Sequence, residues 1–258
     1  MAFKWTEFCD AALNLVFPPV CQICRAERAT AAEGYVGGDC FSEVRFVVAP
    51  FCERCGLPYE GSVSHSFVCA NCQDMDLHFS FARSAVVANR VVLETIHHYK
   101  YNRALYFEPF LANLLIHQAV PFLQNQGWDM IVPVPLHASK LREREFNQAE
   151  RLARRLGRAA NIPVNKGLVA RVKCTETQTQ LTRPERAGNV HQAFALRKGK
   201  KLDGEKIILL DDVLTTGATT SACAQVLRQA GADEIGVWTV ARGVLMGHPI
   251  SDTVSDPL

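Results

Sequence analysis

The sequence predicts an α/β protein in which a parallel sheet flanked by helices follows a small cysteine-rich module. Three observations carry this. From about residue 80, apolar runs alternate with segments of helical period, the pattern of strands joined by crossover helices. One of the strands, Ile207 to Leu210, is apolar throughout, as expected where both faces are covered. Eight of the ten cysteines fall within the first 72 residues, six of them in Cys-x-x-Cys pairs.

With 258 residues, 48% of them hydrophobic, the chain can bury a full α/β core and still form one smaller module. The net charge of +2, from 28 basic and 26 acidic side chains, argues for no particular partner by itself. The stretch "MAFKWTEFCDAALNLVFPPV" does not suit a signal peptide, because Glu7 and Asp10 interrupt it. Trp5, Phe8, Ala12, Leu15 and Val16 recur at helical spacing and predict a short amphipathic helix. No run reaches the length of a membrane span. A cytoplasmic location follows, where Cys-x-x-Cys pairs are better explained by metal ligation than by disulfides.

The head comes first in the chain. Cys52 and Cys55 are followed after thirteen residues by Cys69 and Cys72. Two such knuckles bring four sulfurs to the tetrahedral cage that zinc prefers, with Gly56 easing the first turn. Four thiolates leave no open position, so the metal is structural. Cys21, Cys24 and Cys40 suggest a second ribbon that is one ligand short, since Gly37 stands where a further cysteine is needed. Cys9, Asp39 or His65 completes that set, or the knuckle is held by packing without a metal.

In the body, strands are expected near 81–88, 129–134, 206–211 and 235–241, and helices near 91–100, 104–119, 147–160 and 218–230. The division expected is 1–78 for the helix and double-ribbon-like head, 79–245 for the α/β domain, and 246–258 for a polar tail.

The third strand ends on Asp211 and Asp212, and the carboxyl edge of an open α/β sheet is where ligands bind. Thr215, Thr216, Gly217, Ala218 and Thr219 then lead into a helix with an apolar stripe of Ala222, Cys223, Val226, Leu227 and Ala230, stopped by Gly231. A glycine turn at a helix amino terminus offers free N–H groups and the positive end of the dipole to a phosphate. Paired carboxylates beside it can accept from neighbouring sugar hydroxyls. The combination asks for a sugar phosphate.

This run resembles the motif of type I phosphoribosyltransferases: an apolar strand, two acids, two apolar residues, then Thr-Thr-Gly-x-Thr. The segments "DMIVPVPLHASKLREREFNQ", "TETQTQLTRPERAGNVHQAF" and "IHHYKY" are similar to the Pro-Val-Pro, Thr-x-x-Gln and Leu-Lys-Tyr segments of the ComF/GntX family. That family joins a cysteine ribbon to a transferase-like domain, and the resemblance runs from Cys21 to Gly243. It implies the type I phosphoribosyltransferase fold and 5-phosphoribosyl-1-pyrophosphate (PRPP) with magnesium as ligand. Asp211 and Asp212 would contact the ribose hydroxyls as catalytic residues, and Thr215 to Thr219 would cradle the 5-phosphate. Two positions depart from the family pattern: Gly37, and Glu145, which replaces a glycine.

Residues 140–186 hold twelve Lys and Arg against five Asp and Glu. Asn147 with Glu150 marks a helix start, so Lys140, Arg142 and Arg144 lie just ahead of its amide donors. By the resemblance, Arg142 and Arg144 would hold the pyrophosphate, and Arg183 and Arg186 sit on a loop that closes over substrate. Arg151, Arg154, Arg155 and Arg158, opposite an apolar stripe, read as a solvated face or a nucleic-acid surface. The expected activity is phosphoribosyl transfer to an acceptor that no residue singles out. The family's link to natural competence implies a second reading, a non-catalytic DNA-binding factor that meets single-stranded DNA or the competence machinery through the ribbon and the basic patch.

Overall fold

The structure, a computed structural model, describes residues 19–59, 61, 66–73, 75–124, 126–173 and 192–243. The helix expected at 5–16 and the tail at 246–258 lie outside them. Four parallel strands form the central sheet: β1 (Phe81–Val87), β2 (Met130–Pro133), β5 (Lys206–Leu214) and β6 (Glu234–Arg242), in the order β1-β6-β5-β2. A separate antiparallel pair joins β3 (Val169–Arg171) to β4 (Phe194–Leu196). The helices are α1 (Gly38–Ser42), α2 (Ala70–Gln73), α3 (Arg90–Tyr101), α4 (Glu108–Leu123), α5 (Ala138–Arg144), α6 (Gln148–Ala160) and α7 (Ala218–Gln229).

Both faces of the sheet are covered, as the unbroken apolar run of β5 requires. Ile208 and Leu210 join a core with Tyr99, Leu111, Leu115, Leu152 and Leu156 of α3, α4 and α6. Ile207 and Leu209 join the opposite core with Phe194, Cys223 and Leu227 of β4 and α7. Successive strand residues point to opposite faces. Asp212 therefore continues the α3–α6 side and Asp211 the α7 side.

The cysteine-rich head closes the free edge of β1. Val47 N–H donates to the Ala85 carbonyl at 3.0 Å, Val87 N–H to Arg45 at 2.8 Å and Ala82 N–H to Arg54 at 2.8 Å. Those groups would otherwise be an open pairing edge. The two cysteine clusters divide between the two cores, Cys21 and Cys40 on the α4 side, Cys52, Cys55 and Cys72 on the α7 side. Gly56 has φ +64°, and a Cβ there would meet the Ala82 carbonyl oxygen at 2.6 Å, so the knuckle approaches β1 this closely only with glycine.

Capping fixes where the helices begin. Asn89 accepts from Val92 N–H at 3.0 Å and Asn147 from Ala149 N–H at 3.0 Å, so α3 and α6 start where short polar acceptors stand. Pro109 in the first turn of α4 marks its start at Glu108, after a 3₁₀ turn at Leu105–Phe107. That helix lies four residues later than expected. β5 runs on to Leu214, because Val213 and Leu214 pair with Ala241 and Arg242 of β6. The segment expected to be a run-in before α6 is itself the helix α5.

Candidate functional site

The carboxyl end of β5 brings together residues from four elements. Asp212 is 3% exposed; its carboxylate is ion-paired with the Lys100 ammonium at the end of α3, and Gln148 Nε2, in the first turn of α6, donates to it at 3.3 Å. Burial alone would raise the Asp212 pKa, but Lys100, together with Asp211 and Gln148, outweighs it and holds the carboxyl below its ordinary value. Asp211 is half-buried and accepts the Asp212 N–H at 2.9 Å. Burial and then the neighbouring Asp212 charge push its pKa well above the usual carboxylate value. The two acids thus titrate apart, and the one that keeps its charge has the cation. On the α7 side, Cys223 is fully buried, and burial raises its thiol pKa.

After Leu214 the chain turns through Thr215, Thr216 and Gly217 into α7. Gly217 is the N-cap with φ +81°, a conformation that favours glycine. Thr216 Oγ1 accepts the Ala218 N–H at 3.4 Å, while Thr215 is exposed and Ala218 and Thr219 are partly so. The first-turn amides of an α-helix have no partner within it. Here they follow Asp211 and Asp212 in the chain, after the end of β5 at Leu214 and the turn through Gly217.

Arg242, the last residue of β6 and 3% exposed, holds this turn from behind. Its Nη1 donates to the carbonyls of Leu214 at 2.9 Å, Thr215 at 2.7 Å and Gly243 at 2.7 Å. Its Nε donates to the Cys55 carbonyl at 3.1 Å, and its Nη2 lies 3.5 Å from the Cys55 sulfur. One buried guanidinium thus joins the threonine turn to the cysteine cluster. Neither Arg242 nor Lys100 was among the expected site residues; the Leu-Lys-Tyr resemblance around Lys100 was the one available signal.

The expected basic residues separate. Arg144 Nη1 donates to Gln148 Oε1 at 3.1 Å, and its guanidinium stacks 4.8 Å over the Tyr101 ring, which links it to Asp212 through Gln148. Arg142 is exposed. Arg183 and Arg186 lie outside the described residues. Arg151 and Arg155 are not simply solvated: both pair with the buried carboxylate of Glu108, which also accepts from Tyr99 Oη at 3.2 Å. Arg154 pairs with Glu150 at 2.7 Å. A cavity of about 510 Å³ is lined by these arginines, Glu108, Phe146 and Glu150, but by none of the strand-end residues. Three of its four arginines, Arg151, Arg154 and Arg155, pair with Glu108 or Glu150 of the same lining.

Glu145, at the family's glycine position, caps α5 with φ +68°, the conformation for which glycine is suited. Its carboxylate pairs with Arg103 at 3.0 Å.

Cys52, Cys55, Cys69 and Cys72 converge, with the Cys55 and Cys69 sulfurs 3.7 Å apart. A tetrahedron with zinc–sulfur bonds of about 2.3 Å has sulfur–sulfur edges of about 3.8 Å, so this set fits zinc. Cys21, Cys24 and Cys40 converge with Glu27. Of the groups expected to complete that set, Cys9 and His65 lie outside the described residues, and Asp39 contributes its backbone N–H to Glu27.

Sheet, threonine turn and paired cysteine clusters define a phosphoribosyltransferase-type domain carried with a double zinc ribbon. The family model "Double zinc ribbon domain" matches residues 12–73 and "Phosphoribosyl transferase domain" residues 123–250. The chain is 30% identical over 228 residues to competence protein F of Haemophilus influenzae, covering 86% of this chain and 96% of that protein. It is 30% identical to the DNA utilization protein YhgH of Escherichia coli K12, over 88% of this chain and 99% of that one, and 27% identical to competence protein ComFC of Bacillus subtilis, over 79% and 82%. The chain belongs to the ComF/GntX family.

Proposed function

We propose that this protein binds PRPP at the carboxyl end of β5 and transfers its phosphoribosyl group to an acceptor. The observation that carries the reading is the succession of Asp211 and Asp212 on β5 and the Gly217-capped, amide-rich start of α7 in one short stretch of chain. The amides of that helix start, with Thr215, Thr216 and Thr219, suit the 5-phosphate. Asp211 and Asp212 suit the ribose hydroxyls as acceptors.

Two acids beside a polyanion's site would repel it, and the charge arrangement answers that difficulty. Lys100 balances Asp212, and Asp211 is biased toward its protonated form. Of the two expected pyrophosphate cations, Arg144 is the one joined to Asp212, by two hydrogen bonds through Gln148. As pyrophosphate leaves, positive charge grows on the ribose, and the Asp212 carboxylate already in place stabilises it without reorganising. Magnesium would neutralise the pyrophosphate and be held mainly by ligand oxygens. Among the described residues Asp211 has no ion-pair partner, and it is the carboxylate this chain would add. Zinc in the Cys52–Cys55–Cys69–Cys72 set would be structural, since four thiolates leave no open position. These thiolates suit a reducing compartment, the cytoplasm.

Titration with PRPP and magnesium, with ribose 5-phosphate, and with pyrophosphate tests the reading. PRPP should bind tightest, ribose 5-phosphate should bind without help from Arg144, and pyrophosphate should depend on it. Equal, weak binding of all three would count against it.

A second reading draws on the names of the relatives, competence and DNA utilization proteins, and on Arg142, Arg154 and Arg158, which are exposed. Single-stranded DNA held by its phosphates on this face should be released steeply by salt. Such binding would be lost in Arg142→Ala/Arg158→Ala and would be indifferent to Asp211 and Asp212.

A further inference from the structure

The first cysteine cluster lacks a cysteine, and the space that cysteine would fill is occupied. A Cβ on Gly37 would lie 2.2 Å from Glu27 Cδ, 2.4 Å from its Cγ and 2.6 Å from Oε1. The Glu27 carboxylate therefore sits where a side chain at position 37 would begin. The turn that delivers it is closed by Cys21 N–H donating to the Glu27 carbonyl at 2.8 Å, which brings residue 27 back beside residue 21.

The hydrogen bonds agree with the volume. In the Cys21–Cys24 and Cys52–Cys55 knuckles, the sulfur of the first cysteine accepts the amides two and three residues later. Cys21 takes those of Ile23 and Cys24, and Cys52 those of Arg54 and Cys55. With Gly37 as the first position of the third knuckle, the corresponding amides are those of Asp39 and Cys40. Both donate to Glu27, at 2.8 Å to Oε2 and 3.1 Å to Oε1. The carboxylate has taken over both amide bonds that a sulfur at position 37 would accept.

Its distance also suits a metal. Glu27 Oε1 is 3.6 Å from the Cys24 sulfur, and all four ligand atoms lie within 4.8 Å of one another. A tetrahedral zinc with bonds of about 2.3 Å to sulfur and 2.0 Å to oxygen places those atoms about 3.5 Å apart. A carboxylate also carries the same formal charge as the thiolate it replaces.

We propose that the first ribbon is a zinc site of three thiolates and one carboxylate, in which Glu27 stands in for the cysteine absent at position 37. The four-sulfur cluster around Cys52 is its internal reference. An oxygen ligand is harder than sulfur, so the first site gives up zinc to a chelator before the second.

Zinc content and X-ray absorption of the full-length chain test this. The parent should hold two zinc ions with seven sulfur ligands between them, four and three, plus one oxygen at about 2.0 Å. Glu27→Ala should hold one zinc with sulfur ligands only. Glu27→Ala/Gly37→Cys should regain the second zinc and show eight sulfurs. Glu27→Gln, which keeps the size and an acceptor for the amides, should lose the oxygen ligand while circular dichroism reports an intact fold. A parent with one zinc, an all-sulfur spectrum in the parent, or a Glu27→Ala protein that keeps two zinc ions and the oxygen ligand would overturn the assignment.

Discussion

Arg242 and Cys55 are joined through both the backbone and the side chain of the cysteine: Nε donates to its carbonyl at 3.1 Å and Nη2 lies 3.5 Å from its sulfur. The same guanidinium carries the carbonyls of Leu214 and Thr215, so the second zinc knuckle and the threonine turn share one buried support. Arg242→Gln should leave several of these carbonyls without a donor, at about 1–3 kcal/mol for each buried group left unpaired. Chemical denaturation should show the loss. PRPP affinity should fall with it, whereas zinc content should hold, because all four cysteines remain. Loss of zinc with full PRPP affinity would mean that the two sites are not coupled this way.

Lys100 has a comparable role on the opposite face. Lys100→Met should leave the Asp212 charge buried without its cation and shift its carboxyl upward, since burial is then opposed only by the hydrogen bonds of Asp211 and Gln148. A charge-assisted contact is worth about 1.5–3 kcal/mol, so PRPP should bind at least about tenfold more weakly at neutral pH. Calorimetry of the variant checks this, and unchanged affinity would remove Lys100 from the site.

Glu108 supports the same region from the start of α4. Its carboxyl is buried, which would raise its pKa, but Arg155 and Arg151 outweigh that and lower it. A carboxyl with a depressed folded pKa contributes stability above the ordinary carboxylate value, and loses it as pH falls through and below that value. Glu108→Gln should cost about 2 kcal/mol at neutral pH, a discounted figure because both guanidiniums are nearly half exposed. The difference from the parent should shrink as acid unfolding is followed below about pH 4. A difference that is constant with pH would contradict the pairing.

Glu145 holds a left-handed conformation that costs a non-glycine residue about 1–2 kcal/mol. Glycine recovers this less its own entropy of about 0.5–1 kcal/mol, and the exposed Arg103 partner is worth little. Glu145→Gly should therefore be stabilising by about 0.5–1 kcal/mol, read as a rise in melting temperature.

The sheet was legible because its strands are apolar runs and its helices have caps: Ile207 to Leu210 and Asn147 announce themselves locally. The candidate site was half legible. Asp211, Asp212 and the threonine turn are contiguous, so the chain displays them as one motif. Lys100 and Arg242 are not, since each reaches its partners across the fold, and an arginine at the end of an apolar strand carries no local mark of what it will hold. α5 was missed because none of its residues is buried, which leaves no apolar stripe to read. β3 and β4 are three residues each, too short for a period to show. Glu27 was hidden for a different reason: a carboxylate replacing a thiolate follows no cysteine spacing, and the volume above Gly37 with the amides that turn to Glu27 reveals it.

The most direct measurement is a calorimetric titration of the full-length protein with PRPP and magnesium, repeated on Asp211→Asn/Asp212→Asn with its fold and zinc content verified. Saturable binding by the parent, weakened at least about thirtyfold by the double variant as the charged Asp212 and the Asp211 carboxyl are lost together, is the expected result. Absence of binding by the zinc-loaded parent, or equal affinity in the double variant, would contradict the assignment of the β5 end as a phosphoribosyl site.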